Sequence, residues 1–203
     1  ASVWGTAIAT AQYSRRVQMR WTALVPATAA GFAGAFAGAW VVTVIDPGFL
    51  RKLLPLILLA VLLYTLARKE LGRTHAPRFA GGHEQALAAV IGAVIGFYDG
   101  FFGPGTGSFL VFLFVRLLGY DFLNASASAK LVNTATNLAA LILFAAKGHV
   151  WWHFMVVMAL ANVAGSLLGT RLALKHGAGF VRGVFIMVVG ALILKTGYDA
   201  FIR

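Results

Sequence analysis

The amino-acid sequence predicts an all-α membrane protein whose helices cross the bilayer several times. Hydrophobic residues make up 60% of the chain and charged residues only 11%, and the mean hydropathy is +0.84. Soluble domains are nearer half apolar and a quarter charged, so this chain holds more apolar surface than a soluble core can bury. The apolar residues are also grouped into segments of about 20, the length that a helix needs to cross the hydrocarbon core.

Seven apolar segments follow one another along the chain. The first, residues 1–13, has the character of the end of a helix, so we expect an N-terminal element of the natural protein to precede Ala1. Segment 86–119 is interrupted by glycines. The other five segments are predicted to be complete transmembrane helices: 22–44, 50–67, 125–146, 150–174 and 178–200.

Segment 86–119 cannot be one continuous helix. Unbroken, it would be roughly 50 Å long, far more than the hydrocarbon core is thick. Between Gly96 and Ser108 it holds several glycines and Pro104, which oppose regular helix. We therefore predict a discontinuous helix, which either crosses the membrane or dips into it and returns. The re-entrant form is favoured, because each half of the segment is too short to cross alone.

The longest polar stretch divides the chain into two unequal parts that resemble each other. Residues 68–84, with Pro77 and a Gly81-Gly82 pair, are predicted to form a cytoplasmic linker. Residues 1–67 would be an incomplete first repeat, and residues 85–203 a second repeat of the broken helix plus three transmembrane helices. Such two-fold internal duplication is common in transporters. A shift of 131 residues aligns these pairs: Trp21 with Trp152, Val25 with Val156, Ala30 with Ala161, Gly34 with Gly165, Gly38 with Gly169, Phe49 with Phe180, Arg51 with Arg182 and Thr65 with Thr196.

Each repeat carries two glycines that are four residues apart. Gly34 and Gly38 align with Gly165 and Gly169 under the same shift. Small residues at this spacing let two transmembrane helices approach closely. We therefore predict that both pairs lie at helix crossings.

The formal net charge of +11 indicates membrane topology, since Lys and Arg lie mostly between the apolar segments. Loops 14–20 and 68–84 are rich in basic residues, whereas loop 45–52 holds only Arg51 and Lys52. Basic loops stay in the cytoplasm and meet anionic lipid headgroups, so the first two loops are predicted to be cytoplasmic. We expect a multi-pass protein of a bacterial inner membrane, with the lipid bilayer as a partner and no nucleic-acid binding.

The interruption supplies the first candidate site residues. Broken helices often frame transporter substrate sites, because irregular backbone at membrane depth is tolerated where protein buries it or water lines it. The free N–H groups and the dipole of a new helix start would suit an oxyanion. A kink that allows tight packing is the alternative. The candidates are Gly103, Gly105, Thr106, Gly107 and Ser108.

Asp99 lies inside the same interruption. An acidic residue is costly in apolar surroundings, which favours a functional role such as carrying a proton or pairing with Lys130. In the structural alternative, its carboxylate accepts hydrogen bonds that hold the loop in shape.

A second group of polar residues follows one face of the predicted helix 125–146. Ser126, Lys130, Asn133, Thr134 and Asn137 recur at spacings of three and four residues. Such a stripe on an apolar helix indicates the interior of a bundle or a water-filled path. Lys130 would supply positive charge there, and Asn133 and Asn137 hydrogen bonds to an oxyanion. In the structural alternative, the Asn side chains bond between helices and Lys130 extends to the surface.

Little in the sequence indicates catalysis, a metal or a cofactor. There are no cysteines, which excludes thiol chemistry and thiolate metal sites, and only six acidic residues. His149 and His153 are four residues apart, but they flank Trp151 and Trp152, which favours an interfacial aromatic belt over metal binding. We therefore expect neither an enzyme nor a bound cofactor.

Two motifs carry a family resemblance: Gly96-Phe-Tyr-Asp-Gly-Phe-Phe-Gly-Pro-Gly-Thr-Gly-Ser108, and Ala129-Lys130-Leu131 followed by Asn137. In these motifs, and over nearly its whole length, the chain resembles the TauE/SafE sulfite-exporter-like permeases, in particular their uncharacterised bacterial inner-membrane branch. The resemblance implies two copies of a four-segment unit, each opening with a Gly-rich broken helix, and the first such helix is expected before Ala1. It also implies transport of sulfite, sulfonates or related organic anions. The site residues that it implies are Asp99, Gly103, Gly105, Gly107, Lys130 and Asn133.

Together these features predict a secondary transporter of a small anion, with protons as the candidate coupling ion. A passive anion channel would use the same polar path. A non-transporting membrane subunit would instead bind a protein partner. An oligomer is compatible with each of these hypotheses.

Overall fold

The computed structural model describes residues 2–44, 48–67, 71–72, 74–148 and 152–201, without the side chains of residues 48–51, 53, 152–155 and 201. The predictions for linker residues 68–70 and 73, for His149 and for the side chain of His153 lie outside this description. Within these ranges all regular secondary structure is helical, as the sequence predicts. The elements are α1 (Ser2–Ser14), α2 (Trp21–Val41), α3 (Gly48–Ala67), α4 (Gly82–Phe101), α5 (Thr106–Leu113), a π-helical turn (Phe114–Leu118), α6 (Phe122–Ala146) and α7 (Trp152–Phe201).

Helix α7 has two arms that meet at a kink. Gly177 has a φ of 73° and a ψ of −167°, which are not helical values. A positive φ of this kind favours glycine. The kink separates a first arm, residues 152–176, from a second arm, residues 178–201. It matches the boundary predicted between segments 150–174 and 178–200.

Several helices of the described chain are long and apolar enough to cross a membrane. By length and composition these are Trp21–Val41, Phe122–Ala146 and Val156–Ala200, the last of which contains the kink. Two shorter apolar helices are Leu54–Ala67 and Thr106–Leu118. These helices agree with the predicted class, an all-α membrane protein.

Helices α4 and α5 form a hairpin. The non-helical residues between them are only 102–105, so much of the predicted irregular run 96–108 is helical. Gly103 and Gly105 have φ values of 88° and 84°, which favour glycine and help to reverse the chain. Just after the π-helical turn, the Tyr120 hydroxyl donates to Glu84 Oε1 near the start of α4, over 2.6 Å. Both ends of the hairpin therefore lie at the same end of the bundle.

The re-entrant form was predicted because each half of segment 86–119 looked too short to cross the membrane. In the structure this is true of α5 but not of the length of α4. Helix α4 begins at Gly82, earlier than predicted, and its 20 residues span roughly 30 Å, enough to cross the hydrocarbon core. By length alone, the premise that each half is too short does not hold for α4, although α4 is not among the described helices whose length and composition suit a membrane span. The depth of the hairpin in the bilayer and the internal repeat stay predictions.

Helices α2 and α4 pack backbone to backbone. A Cβ atom added at Gly38 would lie 2.0 Å from the Phe97 carbonyl oxygen, and one added at Gly92 would lie 2.1 Å from the Ala27 carbonyl oxygen. Gly34 has similarly little space, so Gly34 and Gly38 occupy a close helix crossing, as predicted. The two helices run in the same direction, because later positions of α2 face later positions of α4.

The second glycine pair does not behave as predicted. A Cβ atom added at Gly165 or Gly169 would have no described atom within 4 Å. The first arm of α7 packs on α1 at other positions, where Ala173 is buried with Ala9 and Tyr13. The predicted close crossing at Gly165 and Gly169 is therefore wrong for the described part of the chain.

The two ends of the bundle differ in charge. At one end the Arg20 side chain contacts Glu84, and at the other Lys147 Nζ donates to the Thr43 hydroxyl over 2.9 Å. The first end, called the basic end from here on, includes loop 14–20, which is predicted to be cytoplasmic. Among the described residues it holds Arg15, Arg16, Arg20, Arg78, Arg116, Arg171, Lys175 and Arg182, against Lys52, Lys147 and Lys195 at the opposite end.

The main core surrounds α5. Phe109, Leu110 and Phe114 are buried there, packed with Leu58 of α3 and Phe185 of the second arm of α7. A helix that is apolar on all sides suits such an enclosed position. This packing holds α5 against α3 and the second arm of α7.

Candidate functional site

A cavity of about 280 Å³ lies between α5, α6 and the second arm of α7. Its polar groups come from two helices, with Gly107 and Ser108 at the start of α5 and Ser126, Lys130 and Asn133 on α6. A few polar groups set in an apolar wall are typical of small-molecule sites. The wall is formed by Val111, Ala129, Val181, Val184, Phe185 and Val188.

The charge of this cavity is positive. Lys130 is the one cation among the described residues that line it, and no carboxylate lies among them. The ion pair between Asp99 and Lys130, considered from the sequence, is not formed between these two described side chains. A half-buried cation without a counter-ion raises the local concentration of small anions.

The first turn of α5 adds hydrogen-bond donors. The helix begins at Thr106, and Gly105 precedes it with a left-handed backbone conformation. Backbone N–H groups in a first turn lack intrahelical acceptors, and the helix dipole is positive there. Gly107 leaves its backbone accessible, because an added Cβ atom would meet no described atom within 4 Å.

Asn137 supports the cavity from one turn further along α6. Its Nδ2 donates to the carbonyl oxygen of Asn133 over 2.6 Å and to Asn133 Oδ1 over 2.9 Å. Thr134 faces α1, where its hydroxyl lies 3.3 Å from that of Thr10. The predicted polar stripe is therefore divided: Ser126, Lys130 and Asn133 line the cavity, Asn137 orients Asn133, and Thr134 contacts a neighbouring helix.

Asp99 and Thr106 stabilise the break of the hairpin, which is the non-helical stretch 102–105 between α4 and α5. The Thr106 hydroxyl lies 2.7 Å from Asp99 Oδ1 and 2.7 Å from the Gly103 carbonyl oxygen, both of which are acceptors. The hydroxyl of Thr136, on α6, is another hydrogen-bonding partner of the Asp99 carboxylate. These contacts correspond to the structural alternative for Asp99, because they join α4, α5 and α6.

The structure thus separates the predicted site residues into two neighbouring groups. Gly107, Ser108, Lys130 and Asn133 line the cavity together. Gly105 packs near Leu58 of α3, about 3.6 Å from an added Cβ atom. The members that do not line this cavity are Asp99, Gly103, Gly105, Thr106 and Asn137.

Comparison with known proteins shows which family this chain belongs to. The family model described as "Sulfite exporter TauE/SafE" matches residues 1–196. The chain belongs to the TauE/SafE family. This confirms the family that the sequence resembles.

Several relatives of this TauE/SafE chain are named as probable membrane transporter proteins. YfcA of Escherichia coli (strain K12) is 37% identical over 169 residues, which cover 83% of this chain and 62% of the relative. ORF9 of Sinorhizobium sp is 33% identical over 197 residues, which cover 97% and 75%. A Haemophilus influenzae protein is 32% identical over 173 residues, which cover 83% and 65%. The chain therefore spans less than two thirds of the E. coli and H. influenzae relatives, and no solved structure matches it.

The apolar wall of the cavity in this TauE/SafE chain was not found from the sequence. Val181, Val184, Phe185 and Val188 lie at helical spacing on the second arm of α7. That periodicity is visible in the sequence. It does not distinguish a cavity wall from a surface that faces lipid, because both are apolar.

A buried polar network at the basic end was also not predicted from the sequence. Glu84, assigned from the sequence to a polar linker, is only 2% exposed. Arg20 Nη2 donates to Glu84 Oε2 over 2.5 Å, and Tyr120 donates to the other carboxylate oxygen. The hydrogen bond to Glu84 raises the pKa of the Arg20 guanidinium, and burial, together with Glu84, raises the pKa of the Tyr120 phenol. This network joins the start of α2, the start of α4 and the loop before α6.

Proposed function

We propose that this TauE/SafE protein is a secondary transporter of a small anion such as sulfite, a sulfonate or a related organic anion, and that the cavity at Lys130 binds it. The observation that carries the proposal is the convergence of Lys130, Asn133, Ser108 and the first turn of α5 on one cavity without a described carboxylate. The ammonium, amide, hydroxyl and backbone N–H groups can all donate to an oxyanion. The family description and the relatives' names support membrane transport.

The size and the wall of the cavity favour a small anion with an apolar part. Its volume of about 280 Å³ lies at the lower limit of roughly 300 Å³ for ligand pockets. Val184 and Phe185 belong to its apolar wall, on a different helix from the polar groups. An organic sulfonate would place its oxygens toward Lys130 and its carbon substituent toward this wall.

Asp99 is the proposed proton carrier of the coupled cycle. Its carboxylate accepts a hydrogen bond from Thr106 over 2.7 Å and is also partnered by Thr136. Protonation would remove the negative charge of the carboxylate. The hydrogen bonds that connect the hairpin to α6 would then be weaker. The break of the hairpin, next to the cavity, would then be the element that moves.

The test is sulfite and sulfonate flux into proteoliposomes that contain the reconstituted protein. Replacing Lys130 by Ala should lower the flux at least tenfold, equivalent to about 1.4 kcal/mol of lost binding or transition-state stabilisation, because it removes the one cation among the described residues that line the cavity. Lys130→Arg keeps the charge and should retain more flux than Lys130→Ala. The matched control is Lys147→Ala, which removes a lysine at the opposite end and should leave the flux unchanged.

The same assay distinguishes the competing functions. Coupled transport requires the flux to follow an imposed pH gradient and to saturate with substrate. Flux that ignores the gradient would assign a passive channel instead. Equal flux through the parent protein and Lys130→Ala would reject the cavity as the substrate site.

A further inference from the structure

A second charged cavity lies at the basic end, away from the Lys130 site. Its volume is about 590 Å³, and it is lined by Gln12, Arg15, Arg16, Arg171, Leu174 and Lys175. The cations come from two elements because α1 and the first arm of α7 run side by side toward the same end. Tyr13 and Ala173 are buried in their contact, and Tyr13 hydrogen-bonds Thr170.

The positive charge of this cavity is not neutralised within the described structure. None of Arg15, Arg16, Arg171 and Lys175 has an ion-pair partner among the described residues, and no carboxylate is among those that line the cavity. Four cations around one space repel one another, and an anion placed between them relieves that repulsion. By contrast Arg20 at the same end is paired with Glu84.

The side chain of Gln12 independently indicates that this cavity lacks a polar partner. Its side-chain oxygen Oε1 is buried and has no hydrogen-bond partner among the described residues. The amide presents either an acceptor or two donors, depending on which way it is turned. Turned so that its NH₂ group faces the cavity, it would donate to an anion held by the arginines.

The surroundings of the cavity favour a lipid over a free ion. On α7, Leu168 lies one turn before Arg171 and Leu172 one turn before Lys175, and these leucines are 62% and 46% exposed. An acyl chain could cover these side chains while its headgroup occupies the cavity. Free phosphate would satisfy the cations but would leave the apolar face uncovered.

We propose that this cavity binds the phosphate headgroup of an anionic phospholipid from the leaflet at the basic end. Arginine forms strong, paired hydrogen bonds with phosphate, and basic pockets between membrane helices hold such headgroups. The site does not depend on the identity of the transported anion, and it would anchor α1 to the first arm of α7.

The experiment titrates the purified 203-residue chain in detergent with phosphatidylglycerol, phosphatidylcholine or inorganic phosphate. Thermal stability and lipid retained in native mass spectrometry are the readouts. Phosphatidylglycerol should raise the Tm and remain bound, whereas phosphatidylcholine and inorganic phosphate should do neither. The double variant Arg171→Gln/Lys175→Gln should weaken phosphatidylglycerol binding at least tenfold, and Arg15→Gln/Arg16→Gln should do so from the α1 side.

The matched control is Lys52→Gln/Lys147→Gln, which removes two charges at the opposite end. It should bind phosphatidylglycerol within twofold of the parent chain. Equal losses in the control would show general charge attraction and overturn the site. Binding of phosphatidylcholine as tight as that of phosphatidylglycerol, or full displacement of the lipid by inorganic phosphate, would overturn the assignment to an anionic lipid headgroup.

Discussion

Single residues in this protein take their roles from partners that are distant in the sequence. Glu84 follows a polar stretch and looks solvated there, yet its carboxylate is buried between Arg20 and Tyr120. A buried carboxylate is stable only with such partners, because desolvation penalises an unpaired charge. Local sequence contains the acid but not the pairing, which depends on the packing of three separate elements.

Replacing Glu84 by Gln should destabilise the protein by about 2 kcal/mol, because the substitution leaves the partly buried Arg20 without its counter-charge. A fall in Tm in detergent would measure this. The control is Asp199→Asn, whose partner Lys195 is 74% exposed, so that pair is open to solvent. That change should cost at most about 0.5 kcal/mol. Equal shifts for the two variants would contradict the proposed importance of burial.

The same network should make stability depend on pH in the alkaline range. The pKa of Tyr120 is raised in the folded state above its ordinary value of 10.0. Its contribution is therefore fully present below about pH 10 and is lost as the pH rises further. Tyr120→Phe should flatten the decline of Tm above about pH 10, as measured by thermal melts between neutral and strongly alkaline pH. A decline as steep in Tyr120→Phe as in the parent would contradict this assignment.

At the scale of elements, the two glycine pairs have the same spacing but different environments. Gly38 lies against the backbone of α4, whereas Gly169 faces open space in the described structure. The sequence predicted the crossing at Gly34 and Gly38 correctly. It could not show that the aligned positions Gly165 and Gly169 lack a neighbour, because spacing identifies a surface suited to close packing but not the helix that covers it.

One glycine from each pair provides a matched comparison of substitutions. Gly38→Ala places a Cβ atom 2.0 Å from the Phe97 carbonyl oxygen, so α2 and α4 must separate, at a cost of about 1–3 kcal/mol. Gly169→Ala meets no described atom and replaces a poor helix former by a good one, so it should be neutral or stabilise by up to about 1 kcal/mol. Thermal unfolding of this chain in detergent compares them. Similar losses from both substitutions would mean that Gly169 is also packed.

At the scale of the whole molecule, the hairpin decides which helix ends share a side. Because α5 returns toward the start of α4, α6 begins at the basic end and the kink at Gly177 lies there too. Loop 14–20 and the kink are then on one side of the membrane. A segment 86–119 that crossed the membrane once would place them on opposite sides.

Single cysteines introduced at exposed positions test this arrangement, since the parent chain has none. Val44→Cys should react with an impermeant maleimide in intact cells. Ser14→Cys and His176→Cys should react only after the cells are made permeable, because both lie at the basic end. The cysteine-free parent sets the background. Labelling of His176→Cys from outside, with Ser14→Cys protected, would show that the segment crosses the membrane.

The sequence by itself determined the all-α membrane class, the location of the break within 96–108, and most of the polar groups that line the cavity. These are local properties: the hydropathy of a segment, the conformations open to glycine and proline, and the spacing of polar residues on one helix. Only the tertiary structure decided that Lys130, Asn133 and Ser108 share a cavity while Asp99 holds the break, and that the second arm of α7 closes the wall. Those contacts join residues far apart in the chain, and they depend on helix packing, which local patterns restrict but do not specify.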